Sequence, residues 1–303
     1  MSGMQEDRAS QPAPTVEYCY RHPTVATGVH CTRCERPICP DCMIPAPVGF
    51  QCPECVAEAR REFRKGPGNA LRRGNLTGAR VLLVALLAGF VVEIAVGGPD
   101  AIFNGPSPQK LVDLGALVPV LVAGLNQFWR LFTATFLHAG ILHIGFNAYA
   151  LYLFGTIVER DYGTAKFLAI YFISGFLASA ASYAFGPALA VAVGASGAIF
   201  GVFGAFIAWN YRRRHLAMAA QNLRWAMTMI VLNALLAFGF PTIDWRAHVG
   251  GLVAGVAGGY VAEGWGDRAT RGLIAVVGFA ALIVLGAIIV LWRTEQLRSS
   301  LGL

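Results

Sequence analysis

Four polar side chains interrupt sequence that is otherwise apolar: His143, Asn147, Ser196 and His248. A hydroxyl and an imidazole are the minimum for nucleophilic hydrolysis. Serine is a weak nucleophile until a base takes its proton, and His248 is a base in a suitable place. His143 and Asn147 stand four residues apart, so on a helix they share one face. Their ring and amide N–H groups, with the free backbone N–H of a helix that starts at Ser196, can stabilise a developing oxyanion. Gly194 and Gly197 flank the serine and would let a substrate backbone approach it closely. Taken singly, each polar residue has a plainer reading. Serine between glycines packs helices together, Asn147 can hydrogen-bond between helices, and a lone membrane histidine can be structural.

A second group of reactive side chains lies near the N-terminus. All seven cysteines fall between Cys19 and Cys55. They read as four pairs with two-residue spacers: Cys19 with His22, Cys31 with Cys34, Cys39 with Cys42, and Cys52 with Cys55. Eight such ligands make two tetrahedral zinc sites. The link from Cys34 to Cys39 is short for two independent sequential sites, which favours interleaved pairing. Cys19, His22, Cys39 and Cys42 would then hold one zinc, and Cys31, Cys34, Cys52 and Cys55 the other. Sequential pairing is the alternative, and His30 could replace His22. An odd cysteine count and the pair spacing argue against a disulfide framework. So short a segment buries little apolar surface, so metal would supply its stability. The pattern resembles B-box-like zinc modules over residues 18–56. That resemblance implies an interaction module and says nothing about its partner; a cytosolic protein is the kind of partner expected.

The elements that must position Ser196 and His248 are apolar helices. Of the 303 residues, 56% are hydrophobic and 14% charged. A soluble domain carries about 25% charged residues, and the mean hydropathy is +0.55. A soluble enzyme, a disordered chain and a fibrous repeat are excluded on these grounds. Residues 1–78 contain no early apolar core, so the first apolar run reads as a signal anchor and not as a cleaved leader. Candidate membrane helices are 79–97, 138–158, 165–184, 196–211, 224–240, 248–262 and 273–292. The connection from Gly98 to Leu137 is too apolar for a free loop and predicts interfacial or half-inserted helical segments.

Charge gives the orientation. Arg60, Arg61, Arg64, Lys65, Arg72, Arg73 and Arg80, opposed only by Glu62, supply nearly all of the net charge of +7. They precede the first apolar run and predict a cytoplasmic N-terminus. Arg160, Lys166, Arg212, Arg213, Arg214, Arg268 and Arg271 then lie in inner loops, while outer segments hold Lys110, Arg130 and Arg246. The C-terminus is expected outside. Without aromatic residues interleaved among the basic ones, nucleic-acid binding is not expected. In this topology the second, fourth and sixth helices all run from outside to inside, and each carries its polar residue near its outer end. Ser196 to Tyr211 spans about 24 Å at 1.5 Å per residue, less than the roughly 30 Å of hydrocarbon. Ser196 therefore begins below the outer surface, and residues 184–195 must dip to reach it. Irregular backbone at that depth needs a protein wall or a water-filled cavity. One shared depth is what a single site requires. Asp244 reads as a helix-start residue, and Glu93 as an interfacial one.

Five motifs follow in order: Trp129-Arg130, His138-x₄-His143-x₃-Asn147, Gly155-x₃-Glu159-x₃-Gly163, Gly194-Ala195-Ser196-Gly197 and Ala247-His248-x-Gly250-Gly251. Together they resemble the rhomboid family of intramembrane serine proteases over roughly residues 75–265. The resemblance implies an all-α polytopic membrane protein with a six-helix core, here with a seventh C-terminal helix. It implies cleavage within or beside transmembrane segments of membrane proteins in the bilayer, with no catalytic cofactor. Ser196 would be the nucleophile and His248 the base and acid, without an acidic third member. His143, Asn147 and the Ser196 N–H would form the oxyanion hole. Arg130 and His138 would hold the first outer loop, and Glu159 the inner end of the second span. Phe200 stands where members often carry Tyr, beside the substrate; it can stack on His248 but cannot hydrogen-bond. The expected organisation is a disordered segment over 1–17, a zinc module over 18–56, a basic linker over 57–78, a membrane protease core over 79–265 and an added helix with tail over 266–303. The alternative function is a catalytically silent membrane adaptor recruiting partners through its zinc module; a transporter would need more paired membrane charges.

Overall fold

The computed structural model describes residues 16–46, 48–65, 77–240 and 243–302. Most of the segment expected to be disordered, and residues 66–76 of the expected basic linker, lie outside them. The chain divides into two units, Met1–Asn75 and Leu76–Leu303.

In the first unit, a two-stranded antiparallel ribbon, β1 (Ile44–Pro45) and β2 (Phe50–Gln51), precedes helix α1 (Pro53–Lys65). The expected linker therefore begins as helix as far as Lys65. The core here is Ile38 with the cysteines and little else. Such a core is too small to order the segment alone.

The second unit is helical: α2 (Gly78–Gly97), four short helices α3 (Ala101–Asn104), α4 (Pro108–Leu114), α5 (Pro119–Leu125) and α6 (Arg130–Thr133), then α7 (Ile141–Tyr162), α8 (Thr164–Phe185), α9 (Ser196–Arg212), α10 (Ala217–Gly239), α11 (Trp245–Glu263) and α12 (Arg268–Leu301). The short helices fill the first connection as expected. Proline opens α4 and α5, where a missing N–H costs nothing, and left-handed Gly115 and Asn126 close them. Gly97, Phe185 and Gly239 end helices at the expected places.

Four starts differ from expectation: α10 begins at Ala217 rather than 224 and α12 at Arg268 rather than 273, and the other two have a visible local cause. Gly140, at φ 104°, holds the chain out of helix, so α7 begins at Ile141 and His138 sits in the preceding turn. Asp244 accepts N–H bonds from Arg246 and Ala247, so α11 begins at Trp245 and His248 lies about one turn inside. Four helices among the described residues are long and apolar enough to cross a membrane: Gly78–Gly97, Ile141–Tyr162, Thr164–Phe185 and Arg268–Ser300. The other three expected runs are present as α9, α10 and α11, and α9 has only 17 residues.

At the centre, α9 packs on α11 and α8 through small residues. A Cβ on Gly251 would fall inside the Gly197 carbonyl, and one on Gly255 inside that of Gly201. The two backbones touch, which fixes both helices along their length. At the opposite end, the Glu159 carboxylate accepts the Gly78 and Ala79 N–H groups at 2.7 and 2.9 Å and the Thr164 hydroxyl at 2.7 Å. It thus caps α2 from α7, with Thr77 accepting from Arg80.

Candidate active site

Ser196 opens α9 and His248 lies in the first turns of α11; the contact of these helices brings the two side chains together. His248 Nε2 is 2.9 Å from Ser196 Oγ. The Phe200 ring, one turn along α9, stacks on the imidazole with centroids 4.3 Å apart and planes 15° from parallel. Among the described residues no carboxylate hydrogen-bonds that imidazole. Asp244 acts on the helix instead: it caps α11 and accepts the Ser182 hydroxyl of α8.

Facing this pair is the first turn of α7. The Ala139 N–H donates to His143 Nδ1 at 3.2 Å. A neutral His143 ring so held carries its proton on Nε2. Asn147 is buried on the same face, and its Nδ2 has no partner among the described residues. Gly194, at φ 129°, separates the two elements: a Cβ there would stand 2.8 Å from His143 Nε2 and 3.6 Å from Ser196 Oγ. Its own N–H is held by the Ala134 carbonyl at 2.9 Å. Positive φ and lack of space both require glycine at this point.

The remaining motif residues support this frame. Arg130 donates to the Val112 and Ala116 carbonyls at 2.6 and 2.9 Å and to Gln127 at 2.6 Å, tying α4 to α6. His138 is wholly buried and meets the His143 ring edge-on, with centroids 5.1 Å apart. Gly197 is buried, and a Cβ there would meet Ala178 Cβ at 2.5 Å, so helix packing uses this glycine. One expectation needs correction. Glu93 is not interfacial but fully buried, accepting the His138 N–H at 2.7 Å. Sequence position near a helix end suggested exposure; the fold sets the turn that carries His138 against it.

In this setting the chain's relatives are informative. A family model described as the Rhomboid domain matches residues 125–264. Rhomboid-like protease 2 of Toxoplasma gondii is 32% identical over 213 residues, 67% of this chain and 74% of that protein. The chain belongs to the rhomboid family. Other rhomboid relatives include rhomboid protease GluP of Bacillus subtilis, 35% identical over 65% of this chain and 37% of its own length, and RHOMBOID-like protein 6 of Arabidopsis thaliana, 38% identical over 52% of each. The chain thus spans between about a third and a half of the length of these two. All of His143, Asn147, Ser196 and His248 lie within the matched rhomboid segment.

In the first unit, Cys19, His22, Cys39 and Cys42 form one cluster and Cys31, Cys34, Cys52 and Cys55 another, each with its ligand atoms within 4.8 Å of one another. This is the interleaved grouping; His30 instead pairs with Glu17. None of the cysteines is in a disulfide. The donor sets suit a tetrahedral soft cation. A zinc–sulfur bond of about 2.3 Å puts ligand sulfurs roughly 3.8 Å apart, and Cys34 and Cys52 are 3.8 Å apart. Burial pushes the Cys19 and Cys31 thiols up, but backbone N–H bonds outweigh it and hold each at about 6. Burial and neighbouring thiolates push Cys42 up to about 11 and Cys55 to about 12. Each cluster therefore sets thiols against one another, a conflict that a bound dication removes.

Proposed function

We propose that this rhomboid is an intramembrane serine endopeptidase that cleaves transmembrane or juxtamembrane segments of membrane proteins. The observation that carries the reading is the 2.9 Å contact between Ser196 Oγ and His248 Nε2, from two different helices, beside His143 and Asn147. Activity of the relatives, as their names state it, supports the same reading.

The chemistry follows from the geometry. His248 Nε2 takes the Ser196 proton as Oγ attacks the scissile carbonyl carbon. The carbonyl π pair moves to oxygen, and the Nε2–H of His143, the Asn147 amide and the Ser196 N–H receive that charge. Collapse breaks the C–N bond, and the leaving amine takes the proton from His248. Water then repeats the sequence against the acyl ester: His248 accepts its proton, and Ser196 regains one as the carboxylic product leaves. Phe200 holds the plane of the imidazole through these transfers, in place of a carboxylate. No metal takes part in this cycle.

The seven long helices are read as membrane-embedded, with the N-terminus cytoplasmic and the C-terminus outside. The two clusters of the first unit are read as structural zinc sites: zinc would bind as thiolate and imidazole complexes and order residues 18–56. In proteoliposomes holding a tagged single-span substrate, the chain should yield two fragments and Ser196→Ala none. Equal cleavage by both would refute the assignment.

A further inference from the structure

A carboxylic acid on a lipid-facing helix is costly and needs a reason. Glu93 of α2 has none in the proposed catalytic cycle, yet it is completely buried. Its Oε1 accepts the backbone N–H of His138 at 2.7 Å. The next residue, Ala139, gives its N–H to His143 Nδ1 at 3.2 Å. An amide N–H can only donate, so Nδ1 must offer its lone pair and the neutral ring must carry hydrogen on Nε2. Nε2 is the atom that faces Gly194 and Ser196. Two consecutive peptide N–H groups thus donate to side chains, that of His138 to Glu93 and that of Ala139 to His143.

The turn itself has no regular structure to hold it. It runs from Leu137 to Gly140, between the 3₁₀ turn at Ala134–Phe136 and the start of α7. Gly140 and Gly105 are packed against each other's neighbours so closely that a Cβ at Gly105 would stand 2.8 Å from the Ala139 backbone. That contact fixes the side of the turn toward α3. Glu93 fixes the side toward α2. The second carboxyl oxygen of Glu93 and both ring nitrogens of His138 have no partner among the described residues. Among the described residues, the backbone bond is therefore the one polar contact of this carboxyl group.

We propose that Glu93 is a positioning residue for the oxyanion donor: it holds the 137–140 turn so that the Ala139 N–H selects the Nε2–H tautomer of His143 and aims it at the reacting oxygen. The inference rests on the hydrolytic reading of the site. Glu93→Met keeps the volume and removes the acceptor; Glu93→Gln keeps an acceptor oxygen. The Met variant should lose kcat on the order of tenfold, below the 10²–10³ typical of deleting an oxyanion donor, with KM unchanged. The Gln variant should retain most of the rate. In a His143→Ala background, Glu93→Met should cost nothing further, because the group it positions is gone.

A readout independent of turnover accompanies these rates. Nitrogen-15 NMR of the His143 ring in detergent-solubilised protein should report one Nε2–H tautomer in the wild type and in Glu93→Gln, and a mixture in Glu93→Met. Should Glu93→Met fold poorly, Glu93→Ala serves in the same two measurements. An equal loss of rate with and without His143, or an unaltered tautomer, overturns the proposal. If the wild type does not cleave at all, the hydrolytic reading fails by itself, and the ring tautomer still decides whether Glu93 orients His143.

Discussion

His248 has a flat aromatic neighbour where a serine protease of the triad type has a carboxylate. Stacking on Phe200 restrains the ring plane but supplies no acceptor for Nδ1–H. Aromatic pairs of this kind contribute about 0.5–1.5 kcal/mol, so Phe200→Ala should lower kcat roughly two- to tenfold, while Phe200→Tyr should keep the rate. Initial rates on a peptide ester would check this; an unchanged Ala variant would remove Phe200 from the account. At this scale the sequence was informative where chemistry is written in residue type. A serine, a histidine and an i, i+4 His–Asn pair are visible as letters, and the stack on Phe200 follows from one helical turn after Ser196. It was uninformative where role depends on what covers a face. Gly197 and Gly194 look alike in the chain, but Gly194 adjoins His143 and Gly197 adjoins Ala178. Glu93 looked interfacial because the packing of the His138 turn against it has no signature in the residue itself.

Helix α11 brings the His248 imidazole to Ser196 only if its axis and its start are fixed. The axis is set by backbone contact with α9 at Gly251 and Gly255, where no Cβ fits. Gly255→Val should therefore destabilise the second unit by at least the roughly 1–3 kcal/mol typical of overpacking, read as a lower midpoint of thermal unfolding in detergent. The start is set by Asp244. Its replacement by Ala should cost about 1 kcal/mol, the usual value of a lost cap, and Asp244→Asn should recover most of it. A variant with Ala at 244 and unaltered unfolding would show that the Ser182 contact and the cap are both dispensable. Apolar runs revealed where the helices are. They did not reveal the starts of α7 and α11, because hydropathy carries no record of Gly140's positive φ or of a side chain folding back on its own backbone. Three helices also fall outside the length or hydropathy of a self-evident span; α9 is short because it starts only after the loop that carries Gly194.

Over the whole molecule, two kinds of stabilisation divide along the chain. The second unit buries apolar helices against one another, while the first encloses cysteines, Ile38 and almost nothing else. Metal removal should therefore act on one unit alone. The purified chain should contain two zinc ions per molecule by elemental analysis. A strong chelator should make residues 18–56 sensitive to protease while the helices from Gly78 onward keep their far-ultraviolet circular dichroism. One zinc, or none, would remove the structural role assigned to the clusters. This division was readable from cysteine placement and charge, since all potential ligands precede the basic stretch and all the candidate catalytic residues follow it. The interleaved grouping was readable too, from the short link between Cys34 and Cys39.

Hydrolysis by this chain requires Ser196 to be an activated nucleophile, and a fluorophosphonate probe tests that without knowing any substrate. The wild-type chain in detergent should gain one covalent adduct, mapped by peptide mass analysis to Ser196, and His248→Ala should gain none. Absence of an adduct on the folded wild type, or modification of a residue other than Ser196, would contradict it.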